Sequence, residues 1–148
     1  MGTFVFNVAK GQVQTLFGLP AANDGLVAIP VLSAGLETDA VLRDKTTVAA
    51  VFAGATDEAT TVGRLPLTAV TVTVDQVNDR VNCDSADLLY STPPAGGAVA
   101  QTLIAYVPDV GVSTDAQMTP ISMHVTAFTP DGSTSFQFNT TNDIVRAG

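Results

Sequence analysis

Val70-Thr71-Val72-Thr73-Val74-Asp75-Gln76-Val77-Asn78-Asp79-Arg80-Val81-Asn82-Cys83-Asp84 is the stretch that decides the fold. Val70, Val72 and Val74 alternate with Thr71 and Thr73, the period-two pattern of a strand with one face in a core. Asp75 to Asp79 carry turn-forming residues, and from Arg80 onward Val81 and Cys83 alternate with Asn82 and Asp84. Two alternating runs around a polar turn predict a β-hairpin.

Working toward the C-terminus, Pro93-Pro94-Ala95-Gly96-Gly97 is a loop without the donors a ladder needs. Val99 to Val107 follows as a strand closed by Pro108. Ile121 to Phe128 alternates Ile121, Met123, Val125 and Ala127 with Ser122, His124, Thr126 and Phe128, which predicts a further strand with the apolar set inward. Thr129-Pro130-Asp131-Gly132 supplies a turn, and Ser135 to Asn139 returns with Phe136 and Phe138 on one face.

Working toward the N-terminus, Lys45 to Ala53 predicts a short helix capped by Asp44, stopped by Gly54 and burying Val48, Val51 and Phe52. Leu26 to Leu32 is an apolar run suited to a buried strand, and Pro30 within it implies a sheet edge or a bulge, because proline brings no N–H. Ala9, Val13, Leu16 and Phe17 fall on one helical face, with Asn7 as cap and Gly18 and Pro20 as stop; Gly18 is expected in the left-handed conformation of a helix end.

These readings give one domain over residues 1–148 of α+β class, mostly β. One or two short N-terminal helices precede an antiparallel β-sandwich or open barrel. The chain divides into an extended arm at 1–6, a helical and strand part at 7–54, an antiparallel β core at 67–139 and a C-terminal tail at 140–148.

Composition narrows the function classes. Of the residues, 46% are apolar and 14% charged, with 14 acids against 6 bases for a net charge of −8. Thr and Val stand where helical surfaces carry Lys and Glu, which is a β-rich surface vocabulary. Direct nucleic-acid binding is not expected, since phosphate contacts need clustered Lys and Arg. No apolar run approaches the roughly 20 residues that span a bilayer, so no membrane partner is expected. The N-terminus lacks the basic start and apolar core of a secretion signal, and synthesis in a reducing cytoplasm is expected.

Candidate chemistry is sparse. Cys83 is the single cysteine and His124 the single histidine, so an intrachain disulfide, a cysteine-only zinc site and a two-His metal motif are excluded. His124 lies mid-strand, where a surface or structural role outweighs general-base catalysis. Cys83, also in a strand, reads as a packing residue rather than a nucleophile. The densest group of oxygen donors runs from Asp75 to Asp87, where Asp75, Asn78 and Asp79 could meet a calcium ion if the turn gathered them. The spacing of an EF-hand is missing, and Asp and Asn favour turns for local reasons. No catalytic residue, cofactor or metal site is expected, and the chain does not read as an enzyme.

One resemblance adds to this reading. Phe6-Asn-Val-Ala-Lys-Gly-Gln-Val-Gln-Thr-Leu16, Asn23-Asp24, the run Leu26 to Leu32, Leu36-Glu-Thr-Asp-Ala-Val-Leu-Arg-Asp-Lys-Thr-Thr-Val-Ala-Ala50 and Val74-Asp-Gln-Val-Asn-Asp-Arg-Val81 resemble segments of small structural proteins of tailed-bacteriophage virions. The resemblance implies a capsid decoration (cement) protein on the outside of the head. Its implied partners are the major capsid protein and further copies of itself, a homotrimer being the expected assembly at three-fold lattice positions. Gln12, where the family leads one to expect a basic residue, and the Pro93 to Gly97 loop depart from the pattern. A tail-tube or head–tail connector part is the nearest alternative. A carbohydrate-binding or adhesion module is a further one, weakened by the absence of Trp and by having only Tyr90 and Tyr106 as tyrosine platforms. A hydrolase using Asp75 and Asp79 is the remotest.

The candidate partner interface consists of Phe4, Val5, Phe6, Ile144 and Val145. Phe4 and Phe6 sit two apart, as on one face of an extended arm that could add to a partner's sheet. The same residues could instead cap this domain's own core.

Overall fold

The computed structural model describes residues 2–139 and 144–147. In chain order it contains β1 (Phe4–Val5), α1 (Val13–Phe17), β2 (Gly25–Leu32), α2 (Asp39–Leu42), α3 (Val48–Val51), β3 (Leu65–Pro66), β4 (Thr71–Asp75), β5 (Arg80–Asp84), β6 (Leu88–Tyr90), β7 (Val99–Val107), β8 (Thr119–Phe128), β9 (Phe136–Phe138) and β10 (Val145–Ala147). The protein is mostly β, with short helices. β1, β8, β7, β2 and β3 lie side by side in that order as a five-stranded sheet; β10, β5 and β4 form a second sheet, and β6 pairs with β9. Every pairing is antiparallel.

The central strands β2 and β7 are buried on both faces, and alternation along the sheet's strands separates two cores. Leu26, Ala28, Ile104 and Ile121 enter one cluster with α1 residues Val13, Leu16 and Phe17, together with Cys83, Leu88, Ile144 and Val145. Ile29, Val31, Leu103, Ala105 and Met123 enter the other, with Phe4, Phe6, Leu42, Val48 and Val51. This explains why Leu26 to Leu32 reads as a continuous apolar run and why Val99 to Val107 lacks an alternating polar face. Burying a side chain such as Leu103 or Ile104 contributes about 1.5–3 kcal/mol.

Pro30 fits because of which way its backbone faces. The Pro30 carbonyl accepts from the Ala59 N–H and the Leu32 N–H donates to Asp57 O, so both residues face away from β7. The missing N–H of Pro30 therefore leaves the β2–β7 ladder intact, and residues 57–59 shield that side. The expected sheet edge is corrected: β2 lies inside the sheet between β7 and β3, and the nearest break in β2–β7 register falls between Val31 and Leu32.

The hairpin forms over β4 and β5, with Thr71 opposite Asp84 and Asp75 opposite Arg80. Other expectations are corrected. The first helix is one turn long and begins at Val13, because Gly11 takes φ +83° and ends any helical run from residue 7. Asn7 does not cap it; its side chain donates to Asp44 instead. Gly18 is right-handed at φ −71°, and the left-handed residue at this helix end is Leu19 at φ 49°.

The helix expected over Lys45 to Ala53 contracts to α3. Its cap is Thr47, whose hydroxyl accepts from the Ala50 N–H, rather than Asp44. α2, not expected, precedes it. In β8 the expected polarity inverts toward its C-terminal end: Val125 is 52% exposed, while Ser122, His124 and Thr126 are buried. Their hydrogen bonds make this tolerable: Thr126 Oγ1 lies 2.8 Å from Thr102 Oγ1, and Ser122 Oγ lies 2.8 Å from His124 Nε2. Of the tail at 140–148, residues 140–143 and 148 lie outside the described residues, and 145–147 form β10.

Candidate functional site

The sequence singled out two ends of the chain, and folding brings them together. Phe4 and Val5 form β1 and pair with Met123 and Ser122 at the edge of the five-stranded sheet. Val145 pairs with Cys83 at the start of β10. Between them lies a pocket of about 160 Å³ lined by Thr3, Phe4, Val5, Ser122, His124, Ile144 and Val145. Its volume compares with the ~150 Å³ apolar cavities that admit a benzene-sized molecule.

Phe6 does not line it. That ring is fully buried in this chain's own core and lies 5.2 Å from the ring of Phe4. The Phe4 ring carries the Arg43 guanidinium 5.0 Å above its centroid, a cation–π contact.

His124 supplies the polar side of the pocket. Burial pushes its pKa down to about 4, so the ring is neutral at pH 7. Besides Ser122, it meets the Phe138 ring at 5.6 Å. Among the described residues no carboxylate orients its second nitrogen, the third element of an activated serine. The pocket thus offers apolar walls, a neutral imidazole and a hydroxyl, chemistry that suits an apolar group with one polar atom.

The Asp75 to Asp87 segment is arranged otherwise than a cation would need. The Asp75 carboxylate accepts from the Asn78 side chain at 2.8 Å, from the Asn78 and Val77 N–H groups at 3.2 Å each, and from Arg80 Nε at 3.1 Å. The Asn78 side-chain bond leads the causes that hold this carboxyl below its usual range. Asp79 serves the turn with φ 49°. Among the described residues no group of three or more His, Cys, Asp or Glu is placed to hold a metal. Cys83 is buried within β5.

Neither tyrosine is a free platform. Tyr90 is buried against Phe128 and Phe136, and burial raises its pKa. The Tyr106 hydroxyl donates to Asp24.

Sequence reasoning missed one charged cluster. Arg64 Nε and Nη2 bond both Glu58 oxygens at 2.8 and 2.5 Å, and its Nη1 and Nη2 bond both Asp115 oxygens at 2.6 and 2.9 Å. Asp115 lies 51 residues away, so no local pattern signals the pair. The Asp115 carbonyl accepts from Ala49 N–H and the Met118 carbonyl from Val48 N–H. Arg64 thereby ties the loop before β3 to the loop that seats α3. The Arg64 bond holds the Asp115 carboxyl below its usual range.

No family model, curated protein or solved structure matches this chain.

Proposed function

We propose that this chain is a structural assembly protein of a tailed-phage particle, of the capsid decoration type. It binds the outer face of the mature head and stabilises joints between subunits of the major capsid protein. The observation that carries the reading is the pocket between β1 and Ile144–Val145, at which Val5 stays partly exposed while Phe4, Ile144 and Val145 are mostly buried in this chain's own core. The resemblance of the N-terminal half to small virion proteins supports it, and the net charge of −8 suits the outside of a DNA-filled shell. Such a protein acts by mass action: binding only the mature lattice stabilises that lattice. We also take the five- and three-stranded sheets as two layers of an antiparallel sandwich, a reading supported by the cluster to which Ile104 and Cys83 both belong.

Purified protein mixed with undecorated heads should bind saturably and raise their disruption temperature. Val5→Lys, which puts an ammonium at the pocket, should weaken binding while the circular dichroism spectrum is kept. Absence of binding by the unmodified protein overturns the proposal, and a copy number of a few or one ring per particle would assign it to the tail or connector instead.

A further inference from the structure

β4 is the outer strand of its sheet, and its free side is set up to pair. The Cys83 carbonyl accepts from Ile144 N–H, so Cys83 faces β10, and its neighbours Asn82 and Asp84 face β4. In an antiparallel ladder the facing residues alternate. Thr71, Thr73 and Asp75, opposite Asp84, Asn82 and Arg80, therefore turn their backbone groups toward β5. Val72 and Val74 turn theirs outward. Among the described residues no strand pairs with that edge.

Natural edges of this kind carry a proline, a lysine or a bulge to discourage pairing. Thr71–Asp75 has neither residue, and its register with β5 is unbroken. The side chains tell the same story: Val70 and Val72 pack against the core cluster, whereas Val74 is 57% exposed. Among the described residues no strand lies beside Val74 on its free side.

We propose that the β4 edge pairs with β4 of a second copy, antiparallel, about a two-fold axis through Thr73. The strand is complementary to itself in that register. Val72 of each copy meets Val74 of the other and exchanges both backbone hydrogen bonds with it. Thr73 meets Thr73 in a non-hydrogen-bonded pair, a favourable arrangement for two hydroxyl side chains. Asp75 falls opposite Thr71, so no like charges face one another, and Asp75 is already neutralised by Arg80 at 3.1 Å. The pairing continues the apolar face over Val74 and joins two three-stranded sheets into one. Such an isologous contact closes after two copies. The inference does not depend on the virion reading, because it concerns the free protein in solution.

Sedimentation equilibrium of the full chain across micromolar to submillimolar concentrations should show a monomer–dimer equilibrium. Val74→Pro removes only an outward N–H and should weaken dimerisation at least about tenfold, the effect of losing one or two net hydrogen bonds, with the monomer's fold kept. Thr73→Cys gives an independent reading of register. Under mild oxidation it should form a covalent dimer, whereas Thr71→Cys alone should not, and an equal mixture of Thr71→Cys with Asp75→Cys should. A wild-type chain that stays monomeric, or cross-linking at 71 as fast as at 73, overturns the proposal. So does a monomer whose binding to undecorated heads is lost in Val74→Pro, since that outcome assigns the edge to another partner.

Discussion

β7 and β4 are both strands that carry Val and Thr, yet they live in opposite environments. β7 has β8 and β2 beside it and a packed cluster on each face; eight of its nine residues are buried. β4 has β5 on one side and none of its five residues fully buried. Strand propensity is therefore common to both, and the number of neighbours sets how much each residue contributes. The folding free energy should be concentrated in β2, β7 and β8, with the β4–β5 hairpin contributing little.

The largest test of that contrast is Leu103→Ala at the centre of β7. The side chain is fully buried, and its truncation should cost about 3–4 kcal/mol in urea unfolding. A cost below about 1 kcal/mol would remove the distinction between the two regions.

Next comes pH. His124 has a pKa of about 4 in the folded chain against 6.5 when free, so the unfolded state binds the proton first. Stability is complete above pH 6.5 and declines as pH falls toward 4, by up to about 3 kcal/mol. His124→Phe should flatten that slope. Asp75 in the hairpin acts in the same sense but over a lower pH window. Its folded pKa lies below 3.8, so its contribution is lost only as pH falls below 3.8. Urea midpoints between pH 3 and 7 separate the two regions.

Arg64→Met leaves Glu58 and Asp115 facing each other without their cation, and should cost about 1–2 kcal/mol at neutral pH. Thermal unfolding read alongside fluorescence-labelled α3 would show that segment loosening first. Thr47→Ala removes the α3 cap and should cost about 1 kcal/mol, a Tm drop of about 3 °C. Val77→Thr, at a hairpin tip that is 91% exposed, should change stability by less than about 0.5 kcal/mol.

What could be read from the chain follows the range of the interactions. The hairpin is legible because both its strands and its turn lie within fifteen consecutive residues, and β2 because burial on two faces writes an apolar run. β8 is legible as a strand but not in its orientation. Ser122, His124 and Thr126 face inward through bonds to each other and to Thr102, and alternation carries no record of such partners. The first helix overran because its apolar spacing continues through Gly11, whose positive φ is a backbone choice the spacing does not reveal. At the candidate site, the residues Phe4, Val5, Ile144 and Val145 could be chosen from sequence, but their convergence could not. The Arg64 clamp depends on a loop-to-loop approach that only the folded chain creates.

One consequence of the pocket reaches beyond binding. Its walls come from both extremities of the described chain, β1 on one side and Ile144 with Val145 on the other. Ends held separately fray independently; these two share a surface, so release of either exposes the other. Release of β1 should therefore uncover Ile144 and Val145, and amide exchange at Val5 and Val145 read together would show whether the two strands open as one unit.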